Sequence, residues 1–118
     1  MPAAPAATSL ADADYHAKAH AVLDAIEAQA DAWLNADVVD IDSHRTGGLL
    51  ELSFPNGSKI ILNTQPPLQE IWLAAKTGGY HFRFVDGLWR DTRDGTEFLA
   101  LLSTNASAQA GITLTFSA

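Results

Sequence analysis

Six carboxylates crowd the first third of the chain: Asp24, Glu27, Asp31, Asp37, Asp40 and Asp42. Carboxylates are hard oxygen donors, suited to iron, manganese, calcium or magnesium rather than to metals that prefer thiolates. Two like charges about 6 Å apart in water repel by about 0.7 kcal/mol. Clustering them therefore costs modest stability, which a bound cation relieves. The same residues also fit a plain solvated face, the commoner fate of a charge run. Just upstream, His16 and His20 are four residues apart with Asp24 a further turn on. On a helix that spacing can bracket a metal, divalent cobalt or iron by preference. It is not the zinc-protease motif, because the glutamate base is missing, and paired surface histidines more often bind nothing.

A second group sits mid-chain: Asn63, Gln65, Trp72, Lys76 and His81. Two amides beside a tryptophan suit recognition better than catalysis, since tryptophan is an interface anchor. Catalytic templates are missing. No serine or histidine stands in a nucleophile-elbow context, and neither glycine-rich phosphate-binding pattern occurs. The chain has no cysteine, so it has no disulfide and no thiolate with which to hold an iron-sulfur cluster. Any iron it touches must be met by oxygen or imidazole.

The elements that would position these residues follow from periodicity. From about Asp12 to Leu34, Tyr15, Ala19, Val22, Leu23, Ile26, Ala30 and Trp33 recur three or four apart, the stripe of an amphipathic helix. Ser9 or Asp12 is the expected cap. His16, His20, Asp24, Glu27 and Asp31 fall on another, solvated stripe. Asp37–Asp42 alternates as a short strand, with Val39 and Ile41 inward and Asp40 and Asp42 outward. Gly47-Gly48 makes a turn. Leu50, Leu52 and Phe54 then face in, and Asn56-Gly57 signals a two-residue hairpin. Beyond it Ile60 and Leu62 face in, while Lys59, Ile61, Asn63 and Gln65 face out until Pro66-Pro67 stops the strand. In the next strand Ile71 and Leu73 go inward, which sends Trp72 outward beside Glu70 and Lys76. Tyr80, Phe82 and Phe84 are inward in the strand after Gly78-Gly79, with His81 and Arg83 outside, and Trp89 is inward in a last short strand. Asp94 and Glu97 have the spacing of a capping box for a second helix that buries Phe98, Leu101 and Leu102. Ile112 to Phe116 fits either a strand or an extended cover.

Helix, about six short strands and helix, joined by tight turns, give an α+β fold: a two-layer sandwich with two helices on one face of an antiparallel sheet. Residues 1–11 read as a disordered N-terminal tail and 12–118 as one domain. No run is long and apolar enough for a membrane span, and no export signal precedes the domain, so a cytoplasmic location is expected. The net charge is -7. It arises entirely before Ser43, where eight acids face Lys18 alone, whereas six acids and six bases balance afterwards. Such a field attracts cations or a basic protein and disfavours nucleic acid.

The stretch N-G-S-K-I-I-x-N-x-Q-x-P-x-x-x-I-W-L-A, closed by G-G-x-H-F, resembles the signature of the frataxin family in its bacterial, CyaY-type form. Asn63, Gln65, Pro67, Trp72, Gly78, Gly79, His81 and Phe82 all fall at the family's spacing, and the likeness runs from about Tyr15 to Gly111. It implies the same sandwich fold and weak binding of ferrous or ferric iron on the acidic ridge. It also implies docking of that ridge on a cysteine desulfurase, contact of the Trp72 patch with the desulfurase and the cluster-assembly scaffold, and a regulatory rather than enzymatic role. The chain departs from its relatives at Ala28 and Ala32, where further carboxylates are common, and by extra residues around Leu34 to Ala36. The alternative is a ferroxidase, or a protein that stores or delivers iron. A monomer is expected, with iron-dependent oligomers as a variation on it.

Overall fold

The computed structural model describes residues 10–117. The expected tail therefore lies, apart from Leu10 and Ala11, outside the described residues, as does Ser9. Helix α1 (Asp12–Asn35) is followed by strands β1 (Asp42–Thr46), β2 (Leu49–Ser53), β3 (Lys59–Gln65), β4 (Glu70–Ala75), β5 (Gly78–Val85) and β6 (Leu88–Asp91), and then by helix α2 (Phe98–Ala110). The strands lie in sequence order in one antiparallel meander, the expected two-layer α+β sandwich.

The core forms between the helices and the inner sheet face. Tyr15, Leu23 and Ile26 of α1 and Phe98 and Leu102 of α2 are buried with Leu50, Leu52, Ile60, Leu62, Ile71, Leu73 and Phe82. The alternation expected along β2 to β5 holds except at Glu70, which is buried, and at Tyr80 and Phe84, which like Leu101 of α2 are only partly buried; Trp89 is buried as expected. The C-terminal stretch is a cover rather than a strand. Leu114 and Phe116 are buried, their amides donate to Ser107 and Ser103 of α2, and Phe116 packs edge-on against Trp33 of α1.

Four local expectations are corrected. The segment read as a strand over Asp37–Asp42 instead closes α1. Val38 donates to the Trp33 carbonyl and Asp37 to that of Leu34, the pair of bonds of a Schellman cap, with Asp37 in the left-handed region at φ +55°. Pairing starts only at Asp42, opposite Ser53, although Ile41 is buried and Asp40 exposed as expected. Second, the Asn56-Gly57 hairpin is not a two-residue turn. The Gly57 amide bonds to Phe54 and the Phe54 amide to Ser58, leaving Pro55, Asn56 and Gly57 as a three-residue loop. Only Gly57 of that loop has positive φ, the pattern of a type I turn followed by a bulge glycine.

Third, Glu97 caps α2 itself, accepting from the amides of Leu99 and Ala100, while Asp94 caps its own turn at Thr96. Proximity of the Thr96 backbone amide and side chain holds the Asp94 carboxyl below its usual range. Fourth, α1 starts at the N-cap Ala11 with no side-chain cap, so Asp12 is a first-turn residue. In compensation, Gln69 clamps the chain just ahead of the helix, accepting from the Leu10 amide at 3.0 Å and donating to its carbonyl at 2.7 Å.

Candidate functional site

The fold gathers the singled-out residues onto two surfaces. On the first, α1 lies against β1 and presents Asp24, Glu27 and Asp31 toward that strand. Arg45 reaches back from β1 to meet them: its Nη1 is 2.8 Å from Asp24 and 3.7 Å from Glu27. Its Nη2 donates to His20 Nδ1 at 3.1 Å, and its Nε is tied to the Gly47 carbonyl. Ser43 donates to Asp31 at 2.7 Å. Asp37 and Asp40 lie exposed in the connecting loop, and Asp42 opens β1, also exposed. The ridge is therefore an exposed acidic edge of α1 and β1 into which Arg45 is drawn. It is not a preformed cage: among the described residues no three His, Cys, Asp or Glu side chains converge on a point that could hold a metal. His16 and His20 lie with ring centroids 6.1 Å apart and tilted, and one of them is already engaged by Arg45.

The second surface is the outer face of the sheet. Cross-strand register places Leu49, Asn63, Trp72 and His81 in one row and Gln65, Glu70, Arg83 and Arg90 in the next. Trp72 points outward as its alternation requires, but it is half-buried rather than bare. Its indole stacks on His81 with centroids 4.2 Å apart and planes 7° from parallel. Its Nε1 donates to Glu70 Oε1 at 2.8 Å. Glu70, expected to stand exposed beside it, is 4% exposed. Arg83 Nε donates to Glu70 Oε2 at 2.8 Å, and His81 Nδ1 lies 3.8 Å from Oε1. The buried carboxylate thus has both oxygens occupied, as a buried anion must. Lys76 sits beyond the strand, exposed in the β4–β5 turn, with its backbone amide bonded to Gln109 of α2. Asn63 and Gln65 are half-buried and His81 is exposed.

Sequence reasoning missed four contributors: Glu70, Arg83, Arg45 and Tyr15. Glu70 shares a face with Trp72 by its i, i+2 spacing, and Arg83 faces it across the β4–β5 pair; the register was the lacking piece. Arg45 is, by composition, only one of the six bases that balance the later acids. Tyr15 was counted only as core, yet its buried hydroxyl donates to the Glu70 carbonyl at 2.6 Å and accepts from the Gln65 amide at 3.1 Å. It pins both ends of the Pro66–Leu68 turn to α1 and so joins the helix of the ridge to the strands of the outer face. Burial, opposed by the Gln65 amide, pushes its phenol above the ordinary value. Nearby on the sheet, Lys59 bonds Glu51 at 2.6 Å and lowers that carboxyl's pKa.

A meander sheet covered on one side by the two helices, with working surfaces that are faces rather than a deep cleft, defines a class of small α+β sandwich. A family model described as a frataxin-like domain matches residues 8–112, and the chain belongs to that family. Proteins from Burkholderia mallei and Burkholderia pseudomallei, each named iron-sulfur cluster assembly protein CyaY, are 55% identical over 109 residues, 92% of this chain and 100% of theirs. The frataxin of Psychromonas ingrahamii superposes with a TM-score of 0.80 at 33% identity, over 92% of this chain and 100% of that one. A trimeric frataxin of the yeast Saccharomyces cerevisiae, complexed with ferrous iron, gives 0.63 at 26% identity over 92% and 93%. No helix among the described residues is long and apolar enough to cross a membrane.

Proposed function

We propose that the protein is a cytoplasmic, non-enzymatic, iron-binding regulator of iron-sulfur cluster assembly. In this reading Asp24, Glu27, Asp31, Asp37, Asp40 and Asp42 attract ferrous iron weakly and steer the protein onto a basic patch of the cysteine desulfurase. The outer face, with Asn63, Gln65, Trp72 and His81, meets the scaffold, and Lys76 contributes from the flanking turn. The names of the relatives support the pathway, and the ferrous complex of the yeast frataxin supports the metal. The observation that carries the reading is the pairing, on one frataxin-family chain, of an open acidic edge with a separately organised tryptophan face.

A ferroxidase or storage centre would need converging ligands. The described residues form no such group, so weak, diffuse binding is the better-supported form of iron handling. His16 and His20 add imidazole near the start of the ridge. Iron is cargo or signal here rather than a resident cofactor.

Binding to purified cysteine desulfurase, measured across a salt series, tests the docking. Exposed charges are screened over about 8 Å at physiological ionic strength, so affinity should fall steadily as salt rises. Replacing Asp24, Glu27 and Asp31 together by their amides should flatten that slope and weaken binding at low salt at least tenfold. An affinity indifferent to salt would eliminate ridge docking.

A further inference from the structure

Asn56-Gly57 is the one asparagine–glycine pair in the chain; Asn35, Asn63 and Asn105 are followed by alanine, threonine and alanine. A backbone nitrogen can attack the side-chain amide that precedes it, and glycine, with no Cβ, leaves that nitrogen unshielded. The Gly57 nitrogen would bond to Cγ of Asn56 as the bond from Cγ to Nδ2 breaks, and the proton of the Gly57 N–H would depart with the ammonia. Water then opens the cyclic imide to aspartate or isoaspartate, with no change of oxidation state. Both residues are exposed, so water and hydroxide reach them, and asparagine is among the thermolabile residue types. Sequence and exposure alone would make this a reactive site.

The folded loop restrains two of the atoms that must react. The Gly57 N–H donates to the Phe54 carbonyl at 2.9 Å, so the nucleophile is engaged. Asn56 Nδ2, the leaving group, donates to the Gln109 carbonyl near the end of α2 at 3.0 Å. Asn56 Oδ1 accepts from the Ser58 amide at 3.0 Å and from its hydroxyl at 2.7 Å. Donors on that oxygen would by themselves favour attack, since they stabilise the charge that develops there. The restraint therefore lies with the nucleophile and the leaving group, and it lasts only while the hairpin stays docked on α2. Gln109, 6% exposed, holds it there: its Nε2 donates to Ser58 Oγ at 3.0 Å and to the Lys59 carbonyl at 3.2 Å, while its Oε1 accepts from the Lys76 amide at 3.1 Å. A carboxylate at position 56 would have no donor for the Gln109 carbonyl, so the hairpin could not redock with the same bonds.

We infer that Asn56 is a deamidation site, held silent by the docking of the β2–β3 hairpin on α2 and released when the two part. The test incubates the wild-type protein, Gln109→Ala and Tyr15→Phe in mildly alkaline buffer and follows Asn56 by peptide mass spectrometry. Folded wild type should deamidate there at least tenfold more slowly than the same chain unfolded in urea. Compared at equal fractions unfolded, Gln109→Ala should react severalfold faster than Tyr15→Phe, because only the former frees the hairpin locally. Equal rates in the folded and unfolded chain, or an Asn56 that stays intact in urea, would overturn the inference. So would a Tyr15→Phe rate that matches Gln109→Ala, since global unfolding rather than the clamp would then control the reaction. Asn56→Asp, one of the two products, should unfold at a lower temperature than wild type; an unchanged temperature would show that the amide does not hold the hairpin, which also overturns the inference.

Discussion

The acidic ridge and the outer face of the sheet hold their charges in opposite ways. On the ridge, Asp24 has 69% of its side chain exposed and Glu27 33%, and one guanidinium serves both. On the outer face, the carboxylate of Glu70 is sealed beneath Trp72, and each oxygen has its own donor. Exposed, loosely countered charge acts over distance, speeds encounter and is screened by salt. A desolvated, geometrically fixed anion does nothing at long range but sets the orientation of what covers it. In the proposed reading the two surfaces suit two stages of one association, capture by the ridge and discrimination by the sheet.

The contrast breaks most visibly at Glu70. Glu70→Ala leaves the half-buried Trp72 indole N–H without its acceptor and releases the half-exposed Arg83 guanidinium to water, and loss of a buried hydrogen-bond partner costs about 1–3 kcal/mol. Urea unfolding should show a loss in that range, and the indole Nε1–H resonance should move away from its hydrogen-bonded position. Glu70→Gln keeps an acceptor for the indole and should restore much of the resonance shift but not the Arg83 pair. Lys59→Ala, which breaks an exposed pair on the same sheet, should leave stability nearly unchanged. Equal effects from Glu70 and Lys59 would erase the distinction between a fixed and a loose surface.

Why the sequence disclosed one surface and obscured the other follows from the range of the interactions. Acid density is a property of composition, so the ridge was legible before any fold was known. The outward direction of Trp72 was legible because strand alternation is local. Burial of Glu70 was not, because it depends on which residue of β5 stands opposite, and Arg83 meets it only once the Ala75 to Gly78 turn has set the register. Turn chemistry failed for a related reason. Asp37 and Val38 look like a strand start by hydropathy, but the open carbonyls at the end of α1 claim their amides first. At the hairpin, Asn56-Gly57 marked the right place, yet Pro55 joined the loop and lengthened it. The helical stripe of α1 and the meander, both carried by regular periodicity, were readable throughout.

The two surfaces are also physically joined, and Tyr15 is the link. Tyr15→Phe removes the hydroxyl that serves the Glu70 carbonyl and the Gln65 amide, leaving two buried backbone groups to find other partners. Expected destabilisation is about 1–2 kcal/mol, with the largest amide shifts at Gln65 and Glu70 rather than along α1. The wild-type protein carries a matching alkaline signature. Burial raises the phenol above its ordinary 10.0, and a group raised in the folded state adds stability that is fully present below the unfolded value. That stability disappears as pH climbs through the folded value. The contribution should thus stay flat through neutrality and vanish only above about pH 10, and Tyr15→Phe should lack this part of the alkaline loss. A variant with unchanged stability would mean that the helix and the outer face are coupled through packing alone.

A smaller effect on stability than at Glu70 or Tyr15 is expected at Arg45, where the ridge supplies its own partial counter-ion. Its side chain is 15% exposed and bridges Asp24 and Glu27, but Asp24 is so open that the pair gains little over water. Arg45→Gln should cost only about 0.5–1 kcal/mol, in the range of exposed ion pairs. The functional consequence runs the other way. Taking away one positive charge about 6 Å from an incoming cation removes about 0.7 kcal/mol of repulsion in water, or about threefold in affinity. Anaerobic titration with ferrous iron, followed by amide shifts of Asp24, Glu27 and Asp31, should therefore show tighter binding in the variant that is less stable. Unchanged or weaker binding would mean that Arg45 shapes the proposed iron-binding edge rather than competing with the cation.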